Sequence, residues 1–290
     1  MRDRPWAPPP LGGWPDVIVN VALTGAVPTK DDSPAVPMVP EEIVEDAVAC
    51  ARAGAACVHV HVRDDDGRPT HRRDLYEKVI GAIRDQAPEL VVCMTTSARV
   101  DPDPRARMTA LDLDDELLPD MASCTLGSFN FPRTVSHNPP EVIEALLRRM
   151  AERGVRPELE VFELGMANYT HVLQERGLLE PPLYVNVLLG SLGAAPAFVG
   201  DLARIVERLP AGSVWSAAGI GVFQRPMVMA AIAMGGNVRT GLEDAPRDLR
   251  GEPTSNVAAV EHAVAAARLA GRGIATPAQA RERLGLPPRR

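Results

Sequence analysis

The sequence predicts an α/β protein, a TIM (β/α)8 barrel with a short proline-rich N-terminal arm. Three observations carry this reading. Eight short apolar, β-branched runs alternate with longer stretches of helical spacing. The connections are short, with no serine-rich linker or block of charge to divide the chain. The turn after the first run, Thr24-Gly25-Ala26-Val27-Pro28, lacks the glycine fingerprint that a doubly wound sheet normally carries there. At 290 residues the chain has the length of one barrel of about 250 residues with an extension. Residues 1–16 are assigned to the arm and 17–290 to a single barrel domain.

The strands are expected at 17–23, 56–62, 90–95, 121–125, 158–162, 183–189, 213–218 and 237–242. Helix starts are legible at Pro40-Glu41-Glu42, at Pro139-Pro140-Glu141 and at Ser255-Asn256. Proline fits a first turn, whose N–H groups are unbonded anyway, and acidic side chains there oppose the positive end of the helix dipole. Gly54, Gly154 and Gly177 fall just past helical runs, where a left-handed cap is needed.

Composition narrows the function. Hydrophobic residues make up 46% and charged residues 24%, and 31 Lys plus Arg against 38 Asp plus Glu leave a net charge of -7. That balance gives no electrostatic footprint for nucleic acid or an anionic membrane. No stretch of about 18 apolar residues free of charge is present, and the amino terminus has no apolar core of a signal peptide. Cys50, Cys57, Cys93 and Cys124 form no C-x-x-C pair and sit in small or apolar runs, as buried thiols of a reducing cytoplasm do.

In such a barrel the chemistry sits at the C-terminal ends of the strands. His59-Val60-His61 places two imidazoles two residues apart, hence on one face of strand two, where they either converge on a metal ion or bond to backbone carbonyls. Closure of the barrel puts strand eight two positions from strand two. Glu243 is then placed to complete a two-histidine, one-carboxylate set with an open position, or it is an exposed acid facing water. Zinc suits these ligands best, and manganese, cobalt or ferrous iron also fit. Arg239 and Asp244 flank the glutamate, either as an oriented base beside a metal-held enolate or as a plain salt bridge. Glu158 and Glu160 share one face of strand five, and Glu160 is either a partner behind a metal ligand or an ion-paired core residue. Thr95, Thr96 and Ser123 offer hydroxyls that bind a substrate carboxylate or satisfy nearby backbone.

The combination H-x-H-x-R-D at 59–64 with G-G-x-V-R-x-G-x-E-D at 235–244 resembles the β-keto acid cleavage enzyme family. Further matching stretches are NVALTGAVPTK (20–30), PEEIVEDAVACARAGAACVHVHVRDDDGRPT (40–70), LPDMASCTLGSFNF (118–131), RPELEVFELGM (156–166), WSAAGIG (215–221) and ATPAQARERLGL (275–286), which together tag nearly the whole chain after the arm. The resemblance implies a zinc-dependent barrel that converts a β-keto acid and acetyl-CoA to acetoacetate and a new acyl-CoA. It implies that His59, His61 and Glu243 bind zinc, that Arg239 and Asp244 form the catalytic pair, and that Thr95, Thr96 and Ser123 hold the substrate carboxylate. It also implies a homo-oligomer, a tetramer or dimer.

The chain departs from the family pattern at several positions. Members acting on an amino-substituted keto acid carry a glutamate toward the substrate ammonium where this chain has Val27, so the substrate is expected to lack a positive charge there. The usual Gly-Gly after strand three is Ser97-Ala98, followed by Arg99, which either pairs with an anionic substrate tail or, the preferred reading, faces solvent. Thr125 replaces an asparagine and Val222 an arginine. Two rival readings are a metal-dependent hydrolase of amidohydrolase type and a catalytically silent metal-binding barrel that holds a small acid or acyl-CoA. The first usually has its histidine pair on strand one; intact Arg239, Glu243 and Asp244 argue against the second.

Overall fold

The computed structural model describes residues 13–287. Eight parallel strands close into a barrel: β1 Val19–Ala22, β2 Cys57–Val60, β3 Val91–Met94, β4 Met121–Thr125, β5 Arg156–Val161, β6 Tyr184–Leu189, β7 Val214–Gly219 and β8 Asn237–Thr240. Each strand pairs with its sequence neighbours and β8 closes onto β1, with Asn20 opposite Arg239 and Ala22 opposite His59. The expected strand 56–62 breaks after Val60. Val62–Arg63 leaves the barrel to pair with Pro69–Thr70 in a two-stranded ribbon, and Phe129–Asn130 with Val135–Ser136 makes a second.

The surrounding helices are α1 Pro40–Ala53, α2 Arg73–Gln86, α3 Pro140–Arg153, α4 Leu164–Glu175, α5 Val199–Arg208, α6 Gln224–Ala233, α7 Asn256–Leu269 and α8 Pro277–Leu284. Proline opens α1, α3 and α8, the Ser255 side chain accepts the Ala258 N–H ahead of α7, and Gly54 and Gly154 end α1 and α3 in left-handed conformation. The third βα unit departs from the expected pattern. No long helix follows β3; the proline-punctuated segment folds as a single turn, Pro104–Arg107, and two short 3-10 turns. Buried Arg107 pins this segment by donating to the Thr96 and His137 carbonyls and to Asn138 Oδ1, so polar bonds replace helix packing there.

The main core lies between strands and helices and is dominated by buried Val, Ile, Leu and Met. Burying one such side chain contributes roughly 1.5–3 kcal/mol. A smaller cluster, including Ile18, Val91, Met121 and Tyr184, fills the N-terminal end of the barrel, where α8 plugs it with Ala280 and Leu284. With that end sealed by apolar residues, the C-terminal end is left for polar ones. Of the expected arm, residues 1–12 lie outside the described residues and Trp14 packs on Gly235; just past the arm, Val17 bridges to Ile274. The four cysteines are buried free thiols, and no helix among the described residues is long and apolar enough to cross a membrane.

Candidate active site

Two glycines and an arginine shape the turns that gather the site. Gly241 ends β8 at φ 130°, and a Cβ there would lie 2.2 Å from the Ala22 carbonyl oxygen, so only glycine lets the chain fold over β1 and return Glu243 and Asp244 to the barrel mouth. Gly25, at φ 66°, leaves room for the Glu243 side chain, whose Cγ would stand 2.6 Å from an added Cβ. Arg63 donates to the carbonyls of Gly25 at 2.8 Å and Pro28 at 2.7 Å, which fixes the loop after β1.

His59, His61 and Glu243 meet at this end, with one donor atom from each within 4.8 Å of the others. Glu243 Oε2 lies 3.7 Å from His59 Nε2, and Oε1 lies 3.4 Å from His61 Nε2. His59 Nε2 and Glu243 Oε2, which face each other in this cluster, are buried and have no hydrogen-bond partner among the described residues. Leaving such groups unsatisfied is costly, and a divalent cation satisfies two imidazoles and a carboxylate together. The residues therefore fit a metal ion. A second, overlapping group of His59, Cys93 and Glu158 fits less well. There the His59–Glu158 contact is already a 2.6 Å hydrogen bond, and burial drives the Cys93 thiol well above its ordinary range, so it donates to Glu158 at 3.3 Å rather than ligating as thiolate.

Glu158 stands behind His59 as the orienting carboxylate. It accepts from His59 Nδ1, from Asn20 Nδ2 at 2.7 Å and from Asn186 Nδ2 at 2.6 Å. Burial would raise its pKa, but the His59 ring and Arg239 hold it down at about 2. Against its own burial, His59 is raised to about 9 by Glu158 and Glu243; the 2.6 Å contact with Glu158 puts a proton on Nδ1 and leaves Nε2 turned toward the cluster.

Arg239, fully buried, is the electrostatic hub. It pairs bidentately with Asp244, Nε to Oδ2 at 2.9 Å and Nη2 to Oδ1 at 3.2 Å, and reaches Glu243 at 3.1 Å and Glu160 at 3.4 Å. Burial raises the Asp244 pKa, and Arg239 limits that rise. The result is a fixed carboxylate more basic than an exposed one.

A cavity of about 490 Å³ opens over these groups, with His61, Arg239, Glu243, Asp244, Glu160 and Thr95 in its wall. Val27 also lines it and is 56% exposed. Of the three expected carboxylate binders only Thr95 reaches the wall. The Thr96 hydroxyl donates to the Ser123 carbonyl at 2.6 Å, and Ser123 Oγ accepts the Thr96 N–H at 3.2 Å, so these two brace β3 against β4. Glu160 pairs with Arg239 at 3.4 Å and accepts from Thr125 Oγ1 at 2.6 Å, while the place behind the histidine belongs to Glu158, itself 3.9 Å from Arg239. Arg99 does not face solvent but lines the cavity, lying over the Phe131 ring at 3.9 Å. Strand parity alone put both glutamates on one face; which of them meets His59 depends on the stagger of the closed barrel, which parity does not contain.

A parallel barrel whose C-terminal mouth holds a two-histidine, one-carboxylate cluster beside a buried arginine–aspartate pair has the layout of a barrel enzyme, with its polar groups gathered where such barrels carry their chemistry. By sequence the chain belongs to the beta-keto acid cleavage enzyme family, whose pattern it matches over residues 16–286. It is 38% identical to the 3-keto-5-aminohexanoate cleavage enzyme of Fusobacterium nucleatum, over 93% of this chain and 98% of that protein. It is 39% identical to the 3-oxoadipate:acetyl-CoA acetyltransferase of Cupriavidus necator, over 93% of this chain and 95% of that protein. Among solved structures, apo ObcA shares the fold with a TM-score of 0.76 at 23% identity, over 88% of this chain; this chain spans 66% of ObcA.

Proposed function

We propose that the protein cleaves a β-keto acid without a cationic tail, using acetyl-CoA, to give acetoacetate and a new acyl-CoA. The observation that carries this is the 2.9 Å pairing of Asp244 with Arg239 beside the His59, His61 and Glu243 cluster. The names of the two similar proteins supply the reaction class.

Asp244 takes a proton from the carbon between the carboxylate and the ketone. Arg239 holds the Asp244 carboxylate in place and keeps both its oxygens committed until substrate arrives. A divalent ion held by His59, His61 and Glu243, zinc by ligand preference, supplies Lewis-acid stabilisation of the charge that develops on the ketone oxygen. The carbanion attacks the acetyl carbonyl of acetyl-CoA, forming one carbon–carbon bond and releasing the CoA thiolate. The thiolate then attacks the original ketone carbon, and the bond between that carbon and the α carbon breaks. Acyl-CoA departs, and the remaining carbanion recovers the proton from Asp244 as acetoacetate. Thr95 holds the substrate carboxylate and Val27 contacts its tail; that both line the cavity supports this reading.

The reading includes a homo-oligomer and a cytoplasmic setting, which the four buried thiols suit. It is tested by acetoacetate formation from acetyl-CoA and a panel of neutral and anionic β-keto acids, with metal content measured in parallel. Turnover that disappears together with the metal in His59→Ala supports it. Full turnover in metal-free protein contradicts the metal assignment, and preference for a cationic acid contradicts the role of Val27.

A further inference from the structure

We propose that Arg99 selects β-keto acids that carry a second, distal carboxylate. The inference rests on the function proposed above and names the substrate class of the same site. Arg99 follows β3 and enters the cavity with its guanidinium carbon 3.9 Å from the Phe131 ring centroid. Its Nε is buried and has no hydrogen-bond partner among the described residues. A guanidinium has five N–H donors and no way to lose its charge near neutral pH, so a half-buried one short of acceptors favours a planar oxyanion.

Two other charged groups of the wall, Arg239 and Asp32, are already committed. Arg239 is bidentate to Asp244, and Asp32 accepts from the Thr29 N–H and hydroxyl. Val27 adds no further anion to the Glu160, Glu243 and Asp244 carboxylates already in the wall. The loop also holds Arg99 in place. Ser97 Oγ accepts the Arg99 N–H at 3.2 Å, and the Ser97 N–H donates to Thr95 Oγ1 at 3.1 Å. The serine standing where glycine is usual thus fixes the backbone from which Arg99 projects. The heavily hydrated phosphates of acetyl-CoA are better matched to the exposed Arg133 at the rim than to a guanidinium stacked on Phe131.

The test compares a β-keto diacid with its chain-matched neutral analogue in the wild-type enzyme, Arg99→Met and Arg99→Lys, after circular dichroism and metal content have shown each variant folded. The wild type is expected to favour the diacid by roughly 100-fold in kcat/KM, with the preference lost in Arg99→Met through KM and partly restored in Arg99→Lys. Absence of a preference in the wild type, or its survival in Arg99→Met, overturns the proposal. So does a raised KM for acetyl-CoA with the diacid preference intact, which would assign Arg99 to phosphate. Calorimetric Kd values for the diacid and its neutral analogue decide the same question even if no acid is turned over, an outcome that would count against the proposed reaction and not against Arg99.

Discussion

Glu158 reaches across the barrel to place its Oε2 2.6 Å from Nδ1 of His59, on the opposite side of the ring from Glu243. The contact fixes the tautomer and the plane of the ring, so Nε2 is presented to the cluster before any ion arrives. Asn20 and Asn186 hold the carboxylate in turn, and buried Ser216 donates to Asn186. The orienting chain therefore runs from β7 through β6 and β5 to β2.

Replacing Glu158 with Gln keeps the shape and removes the charge. Metal affinity is expected to fall by about 10–100-fold, read by titration against a competing chelator. Unchanged affinity would show that the 2.6 Å contact does not tune His59.

Asp244→Asn should leave the metal bound and lower turnover by about 1,000-fold. The same variant should fail to exchange the α hydrogens of the keto acid with D2O beyond the solution rate, followed by NMR without acetyl-CoA. Exchange at the wild-type rate would move the base elsewhere.

Gly25→Ala places a methyl 2.6 Å from Glu243 Cγ on a backbone at φ 66°. The strain of the left-handed conformation costs about 1–2 kcal/mol, visible as a lower unfolding midpoint. Displacement of Glu243 should lower the bound metal per chain. Full metal content would show that the loop after β1 relaxes without moving the carboxylate.

His71 gives a pH dependence of stability. Its Nδ1 is 2.6 Å from the Tyr76 hydroxyl and its Nε2 faces the Ser97 carbonyl, and burial lowers its pKa from 6.5 to about 4. The folded state binds fewer protons than the unfolded one, so the contribution is complete above pH 6.5 and is lost as the pH falls toward 4. At 1.36 kcal/mol per unit this is on the order of 3 kcal/mol. Denaturant midpoints across that range should fall less steeply in His71→Gln than in the wild type; equal slopes would refute it.

Much of this site was legible in the sequence because it depends on spacing. The two-residue interval in His59-Val60-His61 survives any detail of packing, and the barrel's order brings β8 next but one to β2, which places Glu243 with them. What was hidden depends on stagger or on loop conformation. Glu158 and Glu160 have the same parity, and only the closed barrel separates their partners. Thr96 and Ser123 look like ligand hydroxyls until β3 and β4 are side by side. The segment after β3 carries helix-forming residues, but its prolines and buried Arg107 fold it into turns, and Arg99 is carried inward with it.

The most direct test of the account is to follow both carbons of doubly 13C-labelled acetyl-CoA during turnover. The account predicts that the two labels appear together in carbons 3 and 4 of acetoacetate, with none in the acyl group of the new acyl-CoA. Consumption of the keto acid with the label retained in acetyl-CoA would show hydrolysis or decarboxylation instead, and would contradict the carbon–carbon exchange on which the assignment of Asp244 and Arg239 depends.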